Sequence, residues 1–218
     1  IVCGKAHAKI LVNENKLHWL DNDFAIVALG GYGRNELFPG SDIDLSIIQL
    51  ARNTSKLEEV GNFIAWLWTL NVKIGHSVRT IKDIEKITKS DLKEFTSLLS
   101  NRIIFCHPDQ KSKLTKVLFG LSHGWSKSKF YKAKKLEQLQ RFASFDSTEF
   151  SLEPDLKESP GCLRDFQTAL WILEHCFNVE NLMDCSKLNL FSRNMAKTVW
   201  AVLLLHVVLM KKPTWCKN

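Results

Sequence analysis

Residues 25–48 constrain this chain more than any other stretch: A-I-V-A-L-G-G-Y-G-R-N-E-L-F-P-G-S-D-I-D-L-S-I-I. An apolar run, Ala25 to Leu29, ends in Gly30, Gly31 and Gly33. After a short gap two acids one residue apart, Asp42 and Asp44, open a second apolar run. Acids at i and i+2 of a strand share a face. Both carboxylates are therefore expected to reach one pair of divalent cations. The glycines leave room for a phosphate chain against bare backbone N–H groups. A glycine cluster alone is a tight turn, and an Asp-x-Asp alone is a solvated strand end. It is the ordered set (strand, glycines, acids, strand) that is specific.

That set is the layout of a metal-dependent nucleotidyl-transfer site. In phosphoryl transfer the protein mainly positions groups and neutralises charge. Two Mg²⁺ ions about 4 Å apart can clamp the attacking and leaving oxygens. Asp42 and Asp44 are the natural ligands, because Mg²⁺ prefers hard carboxylate oxygens. Gly30 and Gly31 would let backbone N–H groups approach a triphosphate. Ser41 could donate to a phosphate oxygen, and Arg34 could neutralise a leaving pyrophosphate.

The 218 residues allow one large domain or two small ones, and 45% apolar content supports a sizeable core. Lys and Arg outnumber Asp and Glu by 30 to 23, for a net charge of +7. Such an excess suits a polyanionic ligand or an acidic partner, and equally a set of solvated Lys faces. No basic run is interleaved with aromatics, so nucleic acid is not indicated as a partner. The six cysteines show no metal-ligand spacing and no C-x-x-C. With no signal peptide they read as reduced thiols in a cytoplasmic protein. The longest apolar stretch, Val199 to Met210, is too short to span a membrane and reads as a buried helix.

The chain reads as α+β followed by all-α. Residues 6–20 are expected to form a helix, and Phe24 to Leu29 a buried strand. Pro39-Gly40 is a turn signal, and Ile43 to Leu50 is a second strand, parallel or antiparallel to the first. Leu57, Val60, Ile64 and Leu67 have helical spacing within a helix over 56–70. Val72 to Arg79 is a third strand. Thr80 caps a helix over 81–88, and residues 91–105 form another. Beyond His107-Pro108 strand signals disappear. Helices are expected at 111–121, 127–141, 162–177 and over most of 187–210, with a polar loop at 145–160. The expected division is a nucleotidyltransferase domain over 1–107 and a helical domain over 108–218.

The order of motifs resembles the DNA polymerase β-like nucleotidyltransferase superfamily. The longer string G-G-Y-G-R-x-E-L-x-P-x-S-D-I-D-L resembles, more narrowly, the bifunctional uridylyltransferase/uridylyl-removing enzymes that modify the nitrogen-regulatory protein PII. Three further stretches carry the likeness: V-K-I-G-H-S-V-R-T at 72–80, D-L-K-E-F-T-S-L-L-S-N-R at 91–102 and F-S-L-E-P-D-L-K-E-S-P-G-C-L-R-D-F-Q-T-A-L-W at 150–171. The resemblance covers about residues 24–173.

It implies a small mixed sheet with packed helices, and a reaction that moves UMP from UTP to a tyrosine hydroxyl of PII with release of pyrophosphate. Asp42 and Asp44 match the family's metal-binding acids, and Gly30 and Gly31 its nucleotide-binding turn. Such sites usually have a third carboxylate on a neighbouring strand. Here the matching strand offers His76, to hydrogen-bond the triphosphate or shuttle a proton, or to serve a structural role. Glu153, Asp155, Lys157 and Arg164 are further candidates. Lys157 and Arg164 suit phosphate, or else a salt-bridged loop.

Departures from the family are also visible. Cys162 stands where the family has glycine, and a non-glycine residue there is expected to strain a positive-φ backbone. The likeness decays beyond about residue 178. The uridylyl-removing activity belongs to a hydrolase domain with a His-Asp dipeptide, and no His here is followed by Asp. The expectation is therefore the transferase part alone: a truncated piece, a gene fragment or a reduced relative. Two alternatives stand beside PII uridylylation. One is protein adenylyl transfer on the same scaffold, and the other a catalytically silent nucleotide-binding or scaffold module.

Overall fold

The computed structural model describes residues 22–37, 41–51, 56–69, 73–146, 155 and 157–179. The expected helices at 6–20 and 187–210, the Pro39-Gly40 turn and Glu153 lie outside the described residues.

Strand β1 (Phe24–Ala28) is buried along its whole length. A one-turn helix α1 (Gly30–Gly33) follows, then β2 (Ile43–Gln49), helix α2 (Leu57–Trp68) and β3 (Ile74–Thr80). Helices α3 (Ile81–Ser90) and α4 (Leu92–Leu99) lead to β4 (Arg102–Phe105) and helix α5 (Pro108–Ser122). The four strands form one mixed sheet in the order β3-β2-β1-β4. β1 runs antiparallel to β2 and β4, and β2 runs parallel to β3. The expected small mixed sheet with packed helices is thus present, and the relation of β1 to β2, open in the sequence, is antiparallel.

β1 is buried on both faces because the sheet is covered on both. Phe24, Ile26 and Ala28 join Ile43, Leu45 and Ile47 of β2 in one core with Val60, Phe63 and Leu67 of α2. Ala25, Val27 and Ile48 join Ile84 of α3, Leu98 of α4 and Leu114 and Leu118 of α5 in a second core. Strand alternation therefore assigns Asp42, Asp44, Ser46 and Ile48 to the face covered by α3, α4 and α5. Thr80 caps α3 in a full capping box: its hydroxyl accepts from Asp83 N–H, and the Asp83 carboxylate accepts from Thr80 N–H.

Two expectations change. Residues 91–105 were expected to be one helix, but α4 stops at Leu99, and residues 102–105 are a strand on β1. Without it the outer edge of β1 would leave buried backbone groups unpaired. The expected boundary at residue 107 also differs from the observed division. The chain forms two compact units that meet between Gly124 and Trp125. Pro108 does start a helix, at the first helical position behind a His107 cap. That helix, however, inserts Leu114 and Leu118 beneath the sheet. The last strand signal marks the end of the sheet, not of the unit.

In the second unit the described residues form two helices, α6 (Lys127–Asp146) and α7 (Leu163–Phe177). His175 of α7 is buried, bonded through Nε2 to the Trp125 carbonyl at 3.0 Å, with its ring 4.7 Å from that of Phe130. Cys162 precedes α7 with φ −92° and ψ −168°, an extended conformation open to any residue. The positive φ, +77°, belongs to Gly161. The strain expected at Cys162 is therefore absent. Among the described residues no helix is long and apolar enough to cross a membrane.

Candidate nucleotide and metal site

The site begins where β1 ends. Leu29 N–H donates to the Asp44 carbonyl at 3.0 Å, extending the β1–β2 ladder by one step. The chain then turns sharply through Gly30, whose φ is +55°. This left-handed conformation is what glycine tolerates and other residues resist. A β-carbon at Gly30 would also stand 3.3 Å from Asp44 Oδ2. At Gly33 the constraint is packing: a β-carbon there would overlap the Ser100 carbonyl oxygen. The carbonyls of Tyr32 and Gly33 are held by Arg102, at 2.8 Å and 3.2 Å. Arg102 sits at the start of the unexpected strand β4, which explains why sequence reasoning missed it as a support of the glycine turn.

Asp42 and Asp44 are both exposed and flank the buried Ile43, as expected for two acids on one side of a strand. Ser41 is half-buried immediately before them. Parallel pairing sets Asp44 beside Gly75, Ser46 beside Ser77 and Ile48 beside Arg79. The absence of a side chain at Gly75 matters, since a β-carbon there would stand 2.6 Å from Asp44 Oδ1. The Asp44 carboxylate thus occupies the space that two glycines leave. Ser77 Oγ donates to Ser46 Oγ at 3.2 Å, tying the two strands one step further along.

A cavity of about 360 Å³ opens beside Asp44, walled by β2, β3 and α4. Gly75, Ser77 and Arg79 contribute from β3, and Lys93, Glu94 and Ser97 from α4. His76 also belongs to its wall, but alternation pairs His76 with Leu45, and its ring packs edge-on against Trp68 of α2 at 5.5 Å. The side chains that share the Asp44 face of β3 are Ser77 and Arg79. Arg79 is bonded through both Nη atoms to Glu94, at 2.8 and 2.9 Å. Sequence reasoning named none of Gly75, Arg79, Lys93, Glu94 or Ser97 as site residues. The only available signal was the H-S-V-R and K-E-F-T-S strings, whose convergence depends on long-range register.

The other sequence-predicted cations are engaged elsewhere. Arg34 donates from Nε to Glu36 at 2.6 Å and from Nη1 to Ser100 at 3.0 Å, which ties the end of the glycine turn to the end of α4. Arg164 lies in the second unit, bonded to Glu158 through Nε and Nη2 and to Gln167 through Nη1. Lys157 is exposed in the same unit, and its carbonyl accepts from Arg164 N–H at 2.8 Å. Asp155 Oδ1 accepts from the N–H groups of Lys157 and Glu158, closing the turn before α7. Lys157 and Arg164 are therefore brought together with each other. Among the described residues no cluster of three or more His, Cys, Asp or Glu side chains is arranged to hold a metal ion. A third carboxylate beside Asp42 and Asp44 is not found there.

Comparison with known proteins points the same way. Residues 129–203 match the family model described as GlnD PII-uridylyltransferase. The bifunctional uridylyltransferase/uridylyl-removing enzyme of Pseudomonas aeruginosa is 39% identical over 163 residues, 74% of this chain and 18% of that protein. The like-named proteins of Pseudoalteromonas translucida and Vibrio atlanticus are 40% identical, each over 19% of its own length and over 74% and 75% of this chain. The chain therefore spans about a fifth of the length of these relatives. Among solved structures, a toxin–antitoxin crystal structure with AMP-PNP overlaps 62% of this chain at 15% identity and a TM-score of 0.28, a likeness too slight to bear on the fold. With a glycine turn set against Asp-x-Asp, a matching family model in the helical part and this level of identity, the chain is similar over about three quarters of its length to the bifunctional uridylyltransferase/uridylyl-removing enzymes.

Proposed function

We propose that this chain is a uridylyltransferase unit that moves UMP from UTP to a tyrosine hydroxyl of the PII protein and releases pyrophosphate. The observation that carries this reading is the Asp44 carboxylate, seated between Gly30 and Gly75 at the edge of a 360 Å³ cavity. Asp42 lies two residues away on the same face. Relatives named for this activity support the choice of nucleotide and reaction.

The residues fit Mg²⁺. Both acids offer hard oxygens, both are exposed, and neither glycine neighbour has a side chain to crowd them. Mg²⁺ commonly takes one or two carboxylates and completes its shell with water and substrate phosphate. Asp42 and Asp44 would hold the metal. When bound, it supplies charge stabilisation for the attacking and leaving oxygens. The chain's own part is positioning. The glycine turn presents backbone N–H groups to the phosphates, and β2 and β3 hold the acids in one place. Water and substrate phosphate oxygens would complete a shell to which the described residues add no third carboxylate.

The silent-scaffold reading draws on Cys162 and on the likeness that decays beyond about residue 178, and the extended backbone at Cys162 removes the first of these. The test is incubation with PII, Mg²⁺ and labelled UTP, ATP or CTP. Label on PII from UTP alone is the expected result. Transfer from ATP instead would replace the reading with adenylylation. No transfer from any nucleotide, or transfer unchanged in Asp42→Asn and Asp44→Asn, would overturn it.

A further inference from the structure

The cavity beside Asp44 holds a cation that the sequence did not single out. Arg79 is on the Asp44 face of the sheet, since β2 and β3 are parallel and in register from Ile43↔Ile74 to Gln49↔Thr80. Odd-numbered β3 positions Gly75, Ser77 and Arg79 therefore line up with Asp44, Ser46 and Ile48. Gly75, Ser77 and Arg79 all border the cavity. Arg79 is half-buried, and its guanidinium is turned to Glu94, which also borders the cavity. A two-toothed Arg–carboxylate pair has the same geometry as an Arg–phosphate pair. The Glu94 oxygens thus sit where phosphate oxygens would bond.

Lys93 and Ser97 stand next to this pair on α4. Lys93 is exposed in the cavity wall with no carboxylate partner among the described residues. Ser97 Oγ comes within 3.9 Å of a β-carbon placed on Gly30, so α4 faces the glycine turn as well as the cavity. A phosphate chain laid along the turn would meet this wall. By contrast, Arg34 is taken up by Glu36 and Ser100 within its own turn.

We propose that Arg79 is a phosphate-contacting residue of the nucleotide site, held by Glu94 until the triphosphate replaces that carboxylate, with Lys93 and Ser97 completing the same wall. The inference rests on the nucleotidyltransferase reading and adds to it the side chains that grip the leaving phosphates.

Two variants that break the same ion pair from opposite ends separate a binding role from a structural one. Binding of Mg²⁺–UTP and of UMP is measured by calorimetry on the whole chain, with thermal melts as a check on folding. Arg79→Gln is expected to weaken UTP binding about tenfold or more, as for loss of a charged hydrogen-bond partner, and to change UMP binding less. Glu94→Gln is expected to bind UTP at least as tightly as the unaltered chain, because it frees Arg79. Equal losses in both variants would make the pair purely structural and overturn the proposal. So would wild-type affinity in Arg79→Gln, which would leave the uridylyltransferase reading standing. Failure of the unaltered chain to bind any nucleoside triphosphate would overturn both.

Discussion

Asp44 Oδ1 lies 2.6 Å from the point a β-carbon on Gly75 would occupy, so the conformation of this carboxylate depends on a hydrogen atom one strand away. Gly75 has no positive φ to account for it, and it sits in an edge strand of the sheet. Its reason is the room it leaves. Gly75→Ala is therefore expected to displace the carboxylate while the sheet stays intact. A shift of about 1 Å at a reacting centre can cost roughly a hundredfold in rate. Initial rates of labelled UMP transfer should fall by about that factor, with the melting temperature little changed. A rate within twofold of wild type would mean that Asp44 has space to turn elsewhere.

The glycines of the turn separate into two classes. At Gly33 an added methyl would overlap the Ser100 carbonyl oxygen and approach the Ala28 carbonyl at 3.1 Å, both of them backbone. Neither can move without disturbing β1 or the end of α4. At Gly31 the nearest backbone atom, the Glu36 carbonyl oxygen, is at 3.5 Å, an ordinary contact. Gly33→Ala should thus destabilise the first unit by about 1–3 kcal/mol, in the range for overpacking, whereas Gly31→Ala should fold normally. Urea unfolding followed by circular dichroism distinguishes them. Equal stability of the two variants would contradict the packing account.

Local pattern made the centre of the site legible, and long-range pairing hid its walls. β1 and β2 could be read because each is an apolar run bounded by glycine or aspartate, and Asp42 and Asp44 fall on one face by simple alternation. The helix expected through residue 105 fails because Leu92, Phe95, Leu98, Leu99 and Ile103 continue a helical spacing. What ends α4 is the open edge of β1, a tertiary demand that overrides the pattern. Ser100-Asn101 followed by Ile103-Ile104-Phe105 was the available hint, poor helix formers before β-branched and aromatic residues. Gly75, Arg79 and Glu94 were invisible for a related reason. Gly75 and Arg79 share the Asp44 face through the register of a parallel pair, and Glu94 reaches the same wall from α4 through its bond to Arg79, which no local string encodes. For His76 the same register assigns the ring to the Trp68 side of the sheet.

Lys134 of α6 is 2% exposed, with Nζ 2.7 Å from Glu137 Oε2 and 4.5 Å from the centre of the Trp171 ring. Burial lowers its pKa, opposed by the bond to Glu137. Its folded pKa is thus below the unfolded value of about 10.4. Across that interval the unfolded chain binds more protons, so this residue makes stability rise as pH climbs toward it. Replacing a buried charge by an apolar residue of similar volume is often neutral or stabilising by about 1 kcal/mol or more. Lys134→Met should therefore hold or raise stability at pH 7 and remove the rise above it, since Glu137 keeps access to water. Thermal melts from pH 7 to 10 check both points. A clear loss of stability at pH 7 would show that the cation over Trp171 is a net stabiliser.

Asp165 joins α6 to α7 through three donors. Oδ1 accepts from Gln138 at 3.0 Å and from Arg141, and Oδ2 accepts from Gly161 N–H at 2.6 Å. Burial pushes its pKa up, but the bonds from Gln138, Gly161 and Arg141 outweigh burial, and the carboxyl is held below its ordinary value. A depressed folded pKa gives stability that is fully present above the unfolded value, about 3.9, and is lost as pH falls through the folded one. Asp165→Asn should cost about 1–3 kcal/mol at pH 7, the range for losing hydrogen bonds to a charged group. The gap from the unaltered chain should then narrow below about pH 4, where Asp165 itself takes up a proton. Urea unfolding from pH 7 down to pH 3, read by helical circular dichroism, measures that gap. A gap independent of pH would assign the cost to side-chain packing and not to the charge.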